Sequence, residues 1–206
     1  MAMKDYFMCK RLFVFLFLVI TIKGNSQRIE EYKACAIERA NENDFEGAMH
    51  YFTRIIEISP KDSFAYFDRA MIKKQLNDLT GAIADFSKAI EIDSTNPDNY
   101  FLRAITKDES ADYKGAILDY DKALKIEEHN PDAFFFRGND KFILKDYDGA
   151  LKDYDQAIVL SSVKPQYYFR RAELKISQNQ KKEGCEDLSV CKRLGGEVGE
   201  LEKQCQ

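Results

Sequence analysis

The amino-acid sequence predicts an all-α solenoid, a row of five helical hairpins stacked side by side. Three observations lead there. Small residues recur at a fixed 34-residue period: Ala48, Ala82, Ala116, Ala150 and Gly184 form one column, and Ala36, Ala70, Ala104, Gly138 and Ala172 another. Large apolar residues keep the same register, as Tyr32, Tyr66, Tyr100, Phe134 and Tyr168, and as Phe52, Phe86, Tyr120, Tyr154 and Leu188. Within a unit the apolar positions follow helical spacing twice. Tyr66, Ala70 and Lys73 share one face, and Ala82, Phe86, Ala89 and Ile90 share another, with the turn cluster NDLTG at 77–81 between them.

The chain begins with Lys4, Lys10 and Arg11, then the uncharged run LFVFLFLVITI at 12–22, then the polar KGNSQ. This order of basic, apolar and small-polar regions predicts a signal peptide over 1–26, cleaved between Ser26 and Gln27. The rival is an uncleaved N-terminal anchor, but the apolar run falls well short of the about 20 residues that span a bilayer. Cys9 precedes the run, which argues against a lipoprotein. The prefix carries a charge of +3, so its removal takes the chain from -4 to -7. Such an acidic product has no electrostatic attraction for nucleic acid.

Five units follow without insertion, at 29–62, 63–96, 97–130, 131–164 and 165–198. Each reads as two helices of about 14 residues, near the usual helix length. Pro97, Pro131 and Pro165 open the last three units, where the first helical N–H has no intrahelical partner to lose. Asn96 and Asn130 stand in position to cap two of those helices. The small column lets two antiparallel helices approach closely, and the aromatic four residues away fills the space beside the contact. No unit buries its apolar face alone, so the units must stack. After Gly195–Gly196, residues 199–206 predict a short C-terminal cap.

The pattern resembles the tetratricopeptide repeat family. Tyr66, Ala70, Ala82, Phe86 and Ala89 carry the resemblance in the second unit, with their equivalents elsewhere, over about 29–194; Pro60 closes the first unit where the family has proline. Ser94, Glu128 and Ser162 stand there in later units, and proline comes three residues on. The resemblance implies a right-handed superhelix whose first helices line a concave groove that binds proteins or extended peptides. It does not identify a ligand.

Arg69, Arg103, Arg137 and Arg171 form a column beside the small residue, and Asp85, Asp119, Asp153 and Asp187 form one beside the large apolar residue of the second helix. In unit one the two positions hold Cys35 and Tyr51, so both charges are missing together. That joint absence predicts four intra-hairpin bridges, Arg69–Asp85, Arg103–Asp119, Arg137–Asp153 and Arg171–Asp187, because a guanidinium near a helix contact needs a partner. The bland alternative is two solvated faces, with Lys73, Lys107, Lys141 and Lys175 adding to them.

One residue beyond the core aromatic stands Phe67, Phe101, Phe135 and Phe169, with Lys33 in unit one. By resemblance this column faces the groove together with Ile37, Met71, Ile105, Asn139 and Glu173. Two readings stand: an exposed apolar stripe that marks a contact surface, or packing against the next unit. The carboxylate clamp of chaperone-binding members wants asparagine where Lys33 is followed by Ile37, so recognition of an acidic C-terminus is not expected.

Cys35, Cys185, Cys191 and Cys205 follow the prefix, and four cysteines allow three complete pairings. Cys35 is separated from the others by several hairpins, beyond the roughly 7 Å that a disulfide tolerates between Cα atoms, and is expected to be a free buried thiol. Cys191 stands in the column of Ala89, Ala123 and Ala157 and is expected in the core. Cys185 faces the cap, where Cys205 lies near it, and EGCEDLSVCKRLGG with its final cysteine resembles the ending of exported bacterial tetratricopeptide proteins. The expected disulfide is Cys185–Cys205. His50 and His129 lack zinc-ligand spacing from these cysteines.

Carboxylates recur with the period, as structural charges do, and no phosphate loop or nucleophile–base pair stands out. The expected function is therefore a non-enzymatic scaffold, without cofactor or metal, that binds a protein or peptide in the periplasm or outside the cell, as a monomer or weak oligomer. The alternative is a structural subunit of a cell-envelope assembly held by its edge or convex face.

Overall fold

The structure, a computed structural model, describes residues 24–205, so the signal-peptide reading falls almost wholly outside the described residues. Ten α-helices stand there in five hairpins: α1 Asn25–Asn41 with α2 Phe45–Ile58, α3 Ser63–Gln75 with α4 Leu79–Ile92, α5 Pro97–Glu109 with α6 Tyr113–Ile126, α7 Pro131–Ile143 with α8 Tyr147–Leu160, and α9 Pro165–Ser177 with α10 Lys181–Arg193. A terminal 3-10 helix runs over Gly199–Cys205. Each helix packs on its hairpin partner, and each second helix packs on the first helix of the next hairpin.

Local chemistry sets the ends of the helices. Asp44, Asp78, Asp112 and Asp146 precede the second helices, and each side chain accepts a hydrogen bond from the backbone N–H of the glycine three residues on, Gly47, Gly81, Gly115 or Gly149. A Cβ on Gly81 would collide with the Asp78 carboxylate, so a larger residue there would push the cap aside. Asn96 and Asn130 cap α5 and α7, and proline opens α5, α7 and α9. The residue before each second-helix cap turns the chain in the left-handed region: Asn43, Asn77, Ala111, Lys145 and Asn179 have φ between 60° and 66°.

The small columns form the centre of each hairpin. Ala36, Ala48, Ala70, Ala82, Ala104, Ala116, Ala150 and Ala172 are all fully buried. Gly138 is required where it stands, since a Cβ would lie 2.8 Å from the Tyr154 ring. Gly184 is equally confined, with Ile176 at 2.5 Å from such a Cβ.

At the C-terminal end Gly195, with φ +83°, turns the chain out of α10, and Gly196 N–H donates to the Cys191 carbonyl at 2.9 Å. Val198 then drops into a cluster with Tyr168, Ala172, Leu188 and Cys191, and Leu201 and Cys205 pack against it. Cys185 and Cys205 are joined in a disulfide, and Cys191 is a free buried thiol. Cys35 corrects the sequence expectation. It is half-buried and disulfide-bonded. The distance argument eliminated only the three C-terminal cysteines as partners.

Two stability effects follow. Ala111→Asn should raise stability by about 0.5–1 kcal/mol in a denaturant titration, because asparagine tolerates the left-handed backbone that costs alanine about 1 kcal/mol or more. Cys205→Ser should lower it by roughly 3 kcal/mol, the loop-closure effect for a separation of 20 residues.

Candidate functional site

The arginine column is the most ordered polar feature of the solenoid. Arg69 Nε and Nη2 donate to the two carboxylate oxygens of Asp85, both at 2.8 Å. Arg103 holds Asp119 at 2.8 and 2.6 Å, Arg137 holds Asp153 at 2.9 and 2.6 Å, and Arg171 holds Asp187 at 2.8 and 2.6 Å. The aspartates are buried. Each guanidinium also lies 5.3–5.9 Å from the ring centre of the aromatic three residues before it, Tyr66, Tyr100, Phe134 or Tyr168. Asp85 holds the Arg69 guanidinium above the usual arginine range, chiefly through its hydrogen bonds.

Two further partners were not read from the sequence. The lysine column closes on the same carboxylates, with Lys73–Asp85 and Lys107–Asp119 at 2.7 Å, Lys141–Asp153 at 2.8 Å and Lys175–Asp187 at 2.9 Å. The remaining arginine nitrogen, Nη1, reaches back to the second helix of the preceding hairpin. It donates to Thr53 at 3.2 Å from Arg69, Ser87 at 3.0 Å from Arg103, Asp121 at 2.6 Å from Arg137 and Asp155 at 2.7 Å from Arg171. Those acceptors are themselves spaced by the repeat, 16 residues before each arginine, a signal that was present in the sequence. Each arginine therefore joins three helices. In unit one Arg39, in the lysine column, binds Asp44 at 2.6 Å instead.

The phenylalanine column packs in part on its neighbours, and only Phe135 in it is buried. Phe135 is only 7% exposed and lies 4.8 Å, centre to centre, from the Tyr167 ring of the next hairpin. Phe67 meets Phe86 edge-on at 5.7 Å, and Phe101 contacts Tyr120 and Phe136 at 5.9 and 6.1 Å. Phe67, Phe101 and Phe169 remain half-buried. The Phe67–Phe86 pair takes the edge-on arrangement that aromatic quadrupoles prefer, and the Phe101 pairs and Phe135–Tyr167 are tilted.

The rest of the first-helix face divides in two. Toward the C-terminus its polar groups are committed to one another: Asn139 accepts from the Tyr154 hydroxyl at 3.0 Å, Glu173 binds Arg170 at 2.8 Å, and Asp132 takes both Lys164 and the Tyr167 hydroxyl. Toward the N-terminus the face is apolar. Ile37 is 57% exposed and Phe64 62%, while Met71 and Ile105 are half-buried. Phe64, Phe67 and Met71 fall on one stripe of α3 at spacings of three and four. Phe64 was missed, although its column otherwise reads Glu30, Asp98, Asp132 and Gln166, so an apolar residue there is a departure. Lys33 lies between Glu30 at 3.6 Å and Asp62 at 3.7 Å. Burial lifts the nearby Asp68 carboxyl above its usual range, and Lys33 partly offsets this.

Residues 65–96, the second hairpin, match the family model described as tetratricopeptide repeat. No curated protein matches the sequence. Among solved structures, the MamA protein of Desulfovibrio magneticus RS-1 superposes with a TM-score of 0.77 at 12% identity, over 82% of this chain and 95% of that one. A structure of Pseudomonas aeruginosa pilF gives 0.73 at 17% identity, over 85% and 80%. YrrB, described as a TPR protein with an unusual peptide-binding site, gives 0.71 at 16% identity, over 84% and 92%. The fold is the tetratricopeptide-repeat solenoid. Within that fold each arginine joins its hairpin to the one before it, and the N-terminal end of the first-helix face carries the exposed Ile37 and Phe64.

The staple predicts coupling. Asp119→Ala should destabilise the protein by about 3 kcal/mol, since it leaves Arg103 and Lys107 half-buried without their shared anion. A double-mutant cycle with Arg103→Ala should show a coupling above about 1 kcal/mol, and additivity would mean that the pair does not interact.

Proposed function

We propose that this tetratricopeptide protein is a non-catalytic scaffold that binds an extended, apolar segment of a protein or peptide on the first-helix face of hairpins one to three. The observation that carries the reading is the exposed pair Ile37 and Phe64, continued by half-buried Met71 and Ile105. Exposed apolar side chains gathered on one face of a repeat scaffold mark a contact surface, whereas the self-paired polar groups of hairpins four and five would have to be desolvated to bind anything. Repeat scaffolds of this kind use such a face for extended partners. The YrrB structure offers a parallel, since its description names a peptide-binding site.

Lys33 supports the same choice of ligand. Its ammonium already has Glu30 and Asp62 within 4 Å, so an acidic C-terminus finds no open cation there. The protein is proposed to act after export. The Cys185–Cys205 disulfide suits an oxidising compartment, and among the described residues no helix is long and apolar enough to cross a membrane.

A second reading has its own observation. Leu118 on α6 and Val159 on α8 are 65% and 76% exposed, and both lie on second helices, away from the first-helix face. They favour a structural subunit held through its convex side.

Phe64→Glu combined with Ile37→Glu separates the two. With a panel of extended apolar peptides as probe, the double variant should bind at least tenfold more weakly than the parent, while Leu118→Glu with Val159→Glu should bind unchanged. The reverse pattern would move the contact to the convex side.

A further inference from the structure

The geometry points to a proton-binding site at the junction of hairpins three and four, formed by Asp108, Asp140 and the Tyr120 hydroxyl, which tightens the junction when protonated and loosens it when the proton leaves. It is independent of the peptide-binding face.

The site stands out against the repeat itself. Asp140 on α7 belongs to the column Glu38, Ile72, Thr106, Asp140 and Leu174, whose members from hairpin two onward are buried. Ile72 and Leu174 are buried hydrocarbons, and the Thr106 hydroxyl bonds the Leu102 carbonyl at 2.7 Å. Asp140 is 0% exposed, and neither carboxylate oxygen has a hydrogen-bond partner among the described residues. Asp108 on α5 stands where hairpin two carries Lys74, itself paired with Glu109, and where hairpins four and five carry Phe142 and Ile176. Tyr120 on α6 stands where hairpin two carries Phe86, and its buried hydroxyl is also unpartnered. The equivalent Tyr154 hydroxyl donates to Asn139, but the residue equivalent to Asn139 in hairpin three is Ile105. Three polar groups thus meet at one junction, at positions where hairpin five carries only hydrocarbon, Leu174, Ile176 and Leu188.

Two ionised carboxylates only accept hydrogen bonds, so they cannot satisfy one another. One proton changes that: neutral Asp140 donates its O–H to the Asp108 carboxylate, and its carbonyl oxygen is still an acceptor for the Tyr120 hydroxyl. Releasing the proton to solvent leaves two anions facing each other across the contact between α5 and α7. The lysines of α5 and α7 are already engaged, Lys107 with Asp119 and Lys141 with Asp153, as is Lys74 on α3 with Glu109. The other charges felt by Asp108 and Tyr120, Glu109 on α5 and Asp119 on α6, are negative. Burial first, and Asp108 second, push the Asp140 carboxyl up to about 8. Burial together with these carboxylates pushes the Tyr120 phenol far above its usual range, so it remains a donor.

The linkage sign is opposite to that of a salt-bridged aspartate. An unfolded aspartate releases its proton near pH 3.9, whereas the native site keeps it to about 8, so the native state binds the extra proton between those values. Stability from this site is full below about pH 4, falls as pH rises, and levels off above about 8.

Carboxyl-carbon NMR of the full chain tests this directly. The Asp140 side-chain carbon should titrate with a midpoint between about 7 and 9, and a midpoint below 5 overturns the proposal. Asp140→Leu, which copies Leu174, should remove a pH dependence of unfolding worth about tenfold in the equilibrium constant per pH unit between 5 and 7.5. Parallel curves for parent and variant would equally overturn it. Should that variant fail to fold, Asp108→Asn should lower the Asp140 midpoint by at least one unit, and an unmoved midpoint would exclude a proton shared between the two.

Discussion

Everything in this solenoid depends on how closely two helices can approach at the small-residue columns. Alanines at 36, 48, 70, 82, 104, 116, 150 and 172 have no exposed surface, and Gly138 and Gly184 sit where even a Cβ would strike a ring or an isoleucine. That approach leaves room on either side for one aromatic, and the aromatic completes the hairpin. It leaves no room for a long polar side chain unless that chain runs along the contact and ends on a partner. The arginine column obeys this restriction, running past its own aromatic and ending on the buried aspartate.

The arginine does more than neutralise a charge. Because its five donors are held in a rigid plane, it satisfies two oxygens of Asp119 and still directs Nη1 to the preceding hairpin. A lysine in its place would offer a point charge without that fork. The chain uses lysine one turn on, where only a second cation for the same carboxylate is needed. The result ties neighbouring hairpins at a defined register, which stacking of apolar surfaces alone does not specify.

Against this repeated background the departures have meaning. Phe64 replaces polar residues of its column and opens an apolar patch. Asp108, Tyr120 and Asp140 stand where the last hairpin has Ile176, Leu188 and Leu174, and place acid groups inside a packed junction. Cys35 and Tyr51 replace the arginine and aspartate of the first hairpin, and the Tyr51 ring there lies tilted against Tyr32 at 5.9 Å. A repeat supplies its own control sequence, so a departure can be judged against equivalent positions of the same chain.

By itself the sequence determined the hairpins, their number, and which columns meet within one unit. A 34-residue period and helical spacing are local facts, and paired columns such as Arg103 and Asp119 vanish together where the pairing is absent. Tertiary structure decided what crosses from one hairpin to the next. Whether the phenylalanine column lies open or packs on its neighbour depends on the angle between hairpins, as the Phe135–Tyr167 contact shows. The same holds for Arg137 reaching Asp121, and for Asp140 being sealed from water rather than merely polar in an apolar column. Periodicity records which residues share a face; only the packed stack decides which face is covered, because burial depends on the neighbour's distance and tilt as much as on the residue.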